Sequence, residues 1–336
     1  MDFINAIILL ANFVLIPAVS YGSQLALGAL GITLIYGILR FSHFAHGDVM
    51  ALGTAVVILT TWGLQSAGVS LGVLPTALLA LPVGALFVIG YLLLADRLVY
   101  RFYRRVRAKP MVFVMASLGV MFVTNGLTRL LIGPGEQQFS DGARFVISPR
   151  DFRTWTGLGE GLALRSSQML TIVVALIAMV VLFWFLNRTR AGKSMRAYAD
   201  NEDLALLSGI NPERVVLITW VIAGVLLVIA GTMYGLDKTF RPFTYFQLLL
   251  PMFAAAIVGG LGNPLGAIVG GYVVAFSEMG VTYAWRRFAG YFVPEDWLPD
   301  GLMQILPVDY KFAVTFAILV LVLLFRPTGI FKGKAL

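Results

Sequence analysis

The residues best suited to chemistry lie in one short stretch, Arg40-Phe41-Ser42-His43-Phe44-Ala45-His46-Gly47-Asp48, a polar cluster between two apolar runs. Ionisable groups inside a membrane are costly and mark solute or coupling-ion pathways. The plainer reading makes the cluster a turn at the membrane surface, with Arg40 at the interface. His46 and Asp48 are the better candidates for burial, because Gly47 lets the backbone bend between them. Glu278 also falls within an apolar run, where it reads as lying near an external helix end. The absence of cysteine excludes thiolate metal sites, and two histidines leave little for any other metal, so no bound metal or catalytic constellation is expected. Ala191-Gly192-Lys193-Ser194 resembles the end of a phosphate-binding loop. The glycine required five residues before Gly192 is instead Asn187, and an apolar helix rather than a strand precedes it. No nucleotide site is readable, so any ATP is hydrolysed by another chain.

The elements that must position these residues are membrane helices. Of 336 residues 59% are hydrophobic and 12% charged, about half the charge of a typical soluble domain. The formal charge of +8 does not point to nucleic acid, because the basic residues punctuate apolar runs. The segments read as 3–19, 20–39, 44–63, 70–95, 111–132, 168–186, 215–236, 248–281 and 312–326, an all-α polytopic bundle of eight to nine membrane segments in a single transmembrane domain, 1–336. Met1-Asp2 leads directly into apolar sequence, without a basic first region or a small-residue cleavage site, so the N-terminus reads as retained. The loop Arg97–Lys109 carries six basic residues and no acid, and basic residues also follow the sixth and last segments, among them Arg326, Lys332 and Lys334. The positive-inside rule puts all three clusters in the cytoplasm. The loop 133–167, four acids against four basics, is then external, and 187–214 is cytoplasmic.

Parity makes a demand on 248–281, since both its ends must be external. Gly259-Gly260-Leu261-Gly262-Asn263-Pro264 supplies a break where glycine and proline interrupt a helix. The expectation is a broken or re-entrant pair of short or half-spanning helices, whose freed backbone groups can bind solute. Gly262, Gly266 and Gly270, and likewise Gly231 and Gly235, are spaced by four and suit close helix packing.

The loop 187–214 also holds a helix pattern from Ser194 to Leu207, with Ser194 as cap and Ser208-Gly209 then Asn211-Pro212 as terminators. Met195, Tyr198, Ala199, Ala205 and Leu206 share one face that can lie on the membrane helices. Leu204 and Leu207 fall opposite, among Arg196, Asp200 and Asp203, and suit either a docking knob or an ordinary surface.

Several motifs together resemble the permease subunits of branched-chain amino-acid ABC importers, the first of the two paired permeases. Gly28-Ala29-Leu30-Gly31-Ile32-Thr33-Leu34-Ile35-Tyr36-Gly37 with Phe44-Ala45-His46-Gly47-Asp48 resembles the N-terminal signature. Arg196-Ala197 through Asp200 to Leu207-Ser208-Gly209-Ile210-Asn211 resembles the coupling segment. Val258 to Ala267 and Arg326-Pro327-Thr328-Gly329 resemble the C-terminal half. The resemblance implies a bacterial inner-membrane importer of two permeases in membrane lipid, two cytoplasmic ATPases that use ATP and Mg, and a periplasmic solute-binding protein. It implies coupling through Arg196, Asp200, Asp203, Leu204, Leu207, Gly209 and Ile210. A path or helix break would involve Tyr36, His46, Gly47, Asp48, Gly259, Gly260, Gly262, Asn263 and Pro264. The chain departs from the family at His43, where asparagine is usual, and at Arg40, where a small or apolar residue is. A cation at Arg40 suits a more anionic solute or a lipid phosphate. Urea and short-amide importers use similar permeases, and a self-sufficient secondary transporter is the rival from another class.

Overall fold

A chain this apolar can satisfy its backbone in hydrocarbon only by pairing within each segment, and it does so as helix. The computed structural model describes residues 2–72, 74–139, 145–294, 297–299 and 301–331. Among them, nine helices are long and apolar enough to cross a membrane. In chain order the helices are α1 (Asp2–Leu39), α2 (His46–Ser66), α3 (Ala77–Arg105), α4 (Pro110–Ile132), α5 (Pro149–Thr156), α6 (Ser166–Arg188), α7 (Arg190–Asp200), α8 (Glu202–Leu207), α9 (Pro212–Asp237), α10 (Pro242–Gly259), α11 (Pro264–Thr282), α12 (Arg286–Ala289) and α13 (Val308–Phe325). Five of them open on the proline that names their start, where the missing N–H would have no partner anyway. A short antiparallel hairpin, β1 (Phe145–Ile147) with β2 (Leu164–Arg165), lies in the loop 133–167.

The expected pair of spans 3–19 and 20–39 is one helix, α1, with a single π turn at Ala11–Leu15. An unbroken apolar run carries no signal of where a crossing ends, and the polar marks in its first half, Asn5 and Asn12, bond to the loop 133–167 instead. Asn12 donates to the Gly161 carbonyl at 2.7 Å and accepts from the Ala163 N–H at 2.8 Å, while Asn5 accepts from the Glu160 N–H at 3.2 Å. The nine candidate spans are odd in number, and with all nine crossing, Asp2 and the basic C-terminal end fall on opposite faces. Lys332 and Lys334 lie outside the described residues.

Residues 20–35 of α1 are buried on every side, which makes this stretch the axis of the bundle. α11, α9, α6 and α10 surround it, and α13 lies at the periphery with most of its surface free. The helices α10 and α11 form the broken pair. With 18 and 19 residues, about 27 and 29 Å at 1.5 Å per residue, each can cross the bilayer rather than half of it. Both outer ends therefore share a face, as parity demanded, and the break sits at the other end. A Cβ on Gly37, two residues from the end of α1, would lie 3.9 Å from the Gly262 Cα, which places the break level with the basic end of the bundle.

Candidate functional site

Arg40 closes α1 in a left-handed conformation, φ 58°, donating its N–H to the Tyr36 carbonyl at 3.0 Å. That backbone costs a side-chain-bearing residue about 1–2 kcal/mol. Its guanidinium offsets the cost, donating from Nη2 to the Ala199 carbonyl at 2.6 Å in the last turn of α7, where helix carbonyls lack partners and a cation is favoured. Arg40 thus ties the end of α1 to α7. Tyr36, half-buried, contributes its backbone carbonyl to this turn.

From Arg40 the chain dives inward. Phe41 and His43 are buried in a box with Tyr100 of α3, Phe113 of α4 and Trp220 of α9, ring centroids 5.2 to 5.7 Å apart. Burial first, and the neighbouring His46 second, hold the His43 imidazole well below its usual value, so it is neutral. The box is pinned by Asp96, which accepts from Trp220 Nε1 at 2.8 Å and from both terminal nitrogens of Arg104 at 2.5 and 2.8 Å. The pair is bidentate and part-buried, and removing either partner leaves the other charge short of its bonds.

His46 and Asp48 are both buried in the first turn of α2. His46 Nε2 lies 2.9 Å from the Gly28 carbonyl and must carry a proton there, because a carbonyl only accepts. A Cβ on Gly31 would stand 2.8 Å from the His46 ring, which explains the glycine. Asp48 accepts from Asn125 Nδ2 at 2.6 Å. Gly47 does not bend the chain; it lies inside the helix, and its missing Cβ admits the Tyr245 carbonyl of α10, which would stand 2.7 Å away. A Cβ on Gly231 would meet Met50 and Thr54 of α2, and one on Gly235 would meet Thr54, Phe139 and the Tyr245 hydroxyl.

At the break, Gly260 (φ 112°) and Gly262 (φ 83°) need the conformations only glycine adopts readily, and Asn263 caps α11 by accepting the Gly266 N–H at 3.2 Å. Gly266 and Gly270 press against Gly259 and Ala255 of α10, so they close the hairpin on itself; Gly262 belongs to the turn, not to that seam. The carbonyls freed by the break are taken by the chain's own tail, Ile330 N–H on Val258 at 2.8 Å and Phe331 N–H on Gly259 at 3.0 Å. The Arg326 to Gly329 motif delivers that tail. What the break does offer is a wall: Gly262, Asn263 and Pro264 line a cavity of about 340 Å³ together with Arg196 and Asp200.

The single expected helix from Ser194 to Leu207 is two. Thr189, not Ser194, caps α7, accepting the Gly192 N–H at 3.0 Å, and Asn201 interrupts by capping α8, accepting the Leu204 N–H at 3.0 Å. Met195, Tyr198 and Ala205 face the bundle, but Leu206 does not and is exposed. Leu204 and Leu207 are 61% and 85% exposed, on the same helix as exposed Asp203. Gly209 (φ 77°) ends the unit, and Ile210, half-buried, returns the chain to α9. Tyr198 donates to Glu202 at 2.6 Å across the joint; burial, then Glu202, raise its pKa. Glu278 is one turn from its helix end, and it is fully buried against the Thr315 hydroxyl of α13. Sequence reading missed Asp96, Arg104, Trp220 and Asn125. An acid ending the apolar run of α3 was the one local signal.

Among the described residues, nine helices long and apolar enough to cross a membrane, with a capped helix pair at the basic end, make this a multi-pass membrane protein. Residues 15–323 match the family described as branched-chain amino acid transport system / permease component, and the chain belongs to that ABC permease family. The high-affinity branched-chain amino acid transport system permease protein LivH of Escherichia coli (strain K12) is 30% identical over 318 residues, 93% of this chain and 92% of its own. BraD of Pseudomonas aeruginosa, a permease protein of the same description, is 28% identical over 325 residues, 94% of each chain. The ribose import permease protein RbsC of Escherichia coli (strain K12) is 26% identical over 246 residues, 69% of this chain and 73% of its own. No solved structure matches the chain significantly.

Proposed function

We propose that the chain is the first of two paired permease subunits of an ATP-driven importer in the bacterial inner membrane, carrying branched-chain or other small amino acids handed over by a periplasmic binding protein. Two cytoplasmic ATPases use the ATP and Mg; this chain hydrolyses nothing and binds no cofactor. The observation that carries the reading is the α7–α8 pair at the basic end: one helix anchored in the bundle, the next presenting Leu204 and Leu207 outward. Closure of the ATPases on ATP moves α8, Tyr198 and Asn201 carry the motion to α7, and Arg40 passes it to the end of α1. The rest of the path comes from the second permease.

The test is co-purification. A tagged chain expressed with its neighbouring subunits should bring down an ATPase and a second permease, and should transport leucine only with ATP and the binding protein. The burial of His46, Asp48 and Glu278 favours a second reading, a gradient-driven carrier. Leucine uptake by this chain alone in proteoliposomes under a proton or sodium gradient selects that one, and uptake of urea or an amide in place of leucine selects the amide importer.

A further inference from the structure

Between α6 and α9 the surface is concave. A groove of about 420 Å³ runs along the seam, and every residue lining it is apolar. Ile177, Val181 and Phe185 form one wall, and Val221, Val225 and Ile229 the other. On α6 the lining runs from Val174 to Phe185, about 17 Å at 1.5 Å per residue, or one leaflet of a hydrocarbon core about 30 Å thick. It is the leaflet of the basic end, because Phe185 lies one turn from the Arg188 that closes α6. Both walls lead to an arginine there. Arg188 lies two turns beyond Val181, and Arg214 two turns before Val221, so each falls on the stripe that lines the groove. Both are exposed, and neither side chain makes a hydrogen bond or ion pair among the described residues. The neighbouring acid does not offset them, since Glu213 lies 3.3 Å from the Arg101 Nε. Trp184, exposed one turn before Arg188, stands where indole rings mark the boundary between membrane and water.

Two occupants suit apolar walls in hydrocarbon, a helix and an acyl chain, and the lining separates them. Helices associate there without a hydrophobic drive, through small residues that let backbones close up, and Ala178 alone among the lining residues is small. A face of that kind lies elsewhere: Gly119 and Gly126, two turns apart on α4, are exposed, with nothing within 4 Å of a Cβ on either. A leaflet-long slot of bulky apolar side chains, with a free cation beyond each wall, matches a lipid. We propose that the groove seats an acyl chain of an anionic phospholipid from the cytoplasmic leaflet, with Arg188 and Arg214 holding its headgroup charge. The site does not depend on which solute the chain carries. A lipid seated there ties together the helix that enters the α7–α8 pair and the helix that leaves it.

The experiment is lipid retention. The purified full-length chain is equilibrated in detergent with equal amounts of phosphatidylglycerol and phosphatidylcholine, and the bound lipid is counted by native mass spectrometry. Phosphatidylglycerol should be held in preference. Arg188→Gln and Arg214→Gln should each weaken that preference about fivefold, and together about 25-fold. Ile177→Trp, which fills the groove from a position 56% exposed, should abolish retention with both arginines in place. Leu176→Trp, 61% exposed on the same helix and outside the groove, should leave retention unchanged, which separates filling of the groove from damage to the fold. A photoreactive benzoylphenylalanine in place of Val181 should crosslink to lipid in native membranes. Equal retention of the two lipids, or a preference indifferent to both arginines, overturns the headgroup assignment. Retention indifferent to Ile177→Trp, or lost equally in Leu176→Trp, overturns the groove as the seat. Crosslinking from position 181 to a second protein in place of lipid gives the groove to a partner helix and overturns the proposal outright.

Discussion

The helices α7 and α8 are consecutive and joined by Asn201 alone, yet they stand in opposite relation to the protein. The first buries Met195 and Tyr198 and takes a hydrogen bond from Arg40; the second exposes all three of its leucines. Had the stretch been one helix, as its pattern suggests, opposite faces of a single rod would have served the two tasks. The break lets one helix turn inward to hold while its neighbour turns outward to be held.

Aspartates at Leu204 and Leu207 test the outward half. If both side chains act as buried anchors in an ATPase cleft, each is worth about 2 kcal/mol or more, and the double substitution removes ATPase co-purification while leaving permease melting within about 0.5 kcal/mol. Retained ATPase erases the distinction between the helices. Met195→Ala tests the inward half. Truncating a methionine that is 2% exposed should cost about 2–5 kcal/mol of stability, read as a lower melting temperature in detergent. Arg40→Gly is gentler and more telling. Glycine accepts φ 58° freely, so the backbone relaxes while the bond to Ala199 goes, and melting should shift by under about 1.5 kcal/mol. The amino acid carried per ATP hydrolysed should nonetheless fall, with Arg40→Lys in part restoring it; unchanged coupling means that α7 does not act through α1.

The smallest effect concerns the box beneath α7. The unfolded chain protonates His43 near pH 6.5, whereas the folded chain, holding that pKa well below, does not. His43 therefore contributes stability above about pH 6.5 that is lost as pH falls toward the folded value. Melting in detergent between pH 7.5 and 5.5 should drop less for His43→Asn than for the unaltered chain. Equal slopes place the acid sensitivity elsewhere.

Most crossings were legible because apolar length is a local property, and so was the exposure of Leu204 and Leu207, which follows from helical period. The failures share a cause as well. Caps depend on single side chains, and Thr189 and Asn201 compete with Ser194 for a role that spacing alone assigns to any of them. The Asp96–Trp220 bond joins residues 124 apart in sequence, a distance over which pattern says nothing. The glycine break at 259–264 was visible, but its depth was not, because depth depends on where α1 ends beside it and where the tail residues Ile330 and Phe331 return.

At about 57 Å, α1 is nearly twice the thickness of the hydrocarbon it crosses, so it must tilt or stand proud of the bilayer. Its outer asparagines grip the segment 160–163, and its inner end grips α7. One rod therefore has a hand in each compartment. A displacement imposed at either surface reaches the other along a single hydrogen-bonded column, and the π turn at Ala11–Leu15 is the joint at which that column can shorten or twist.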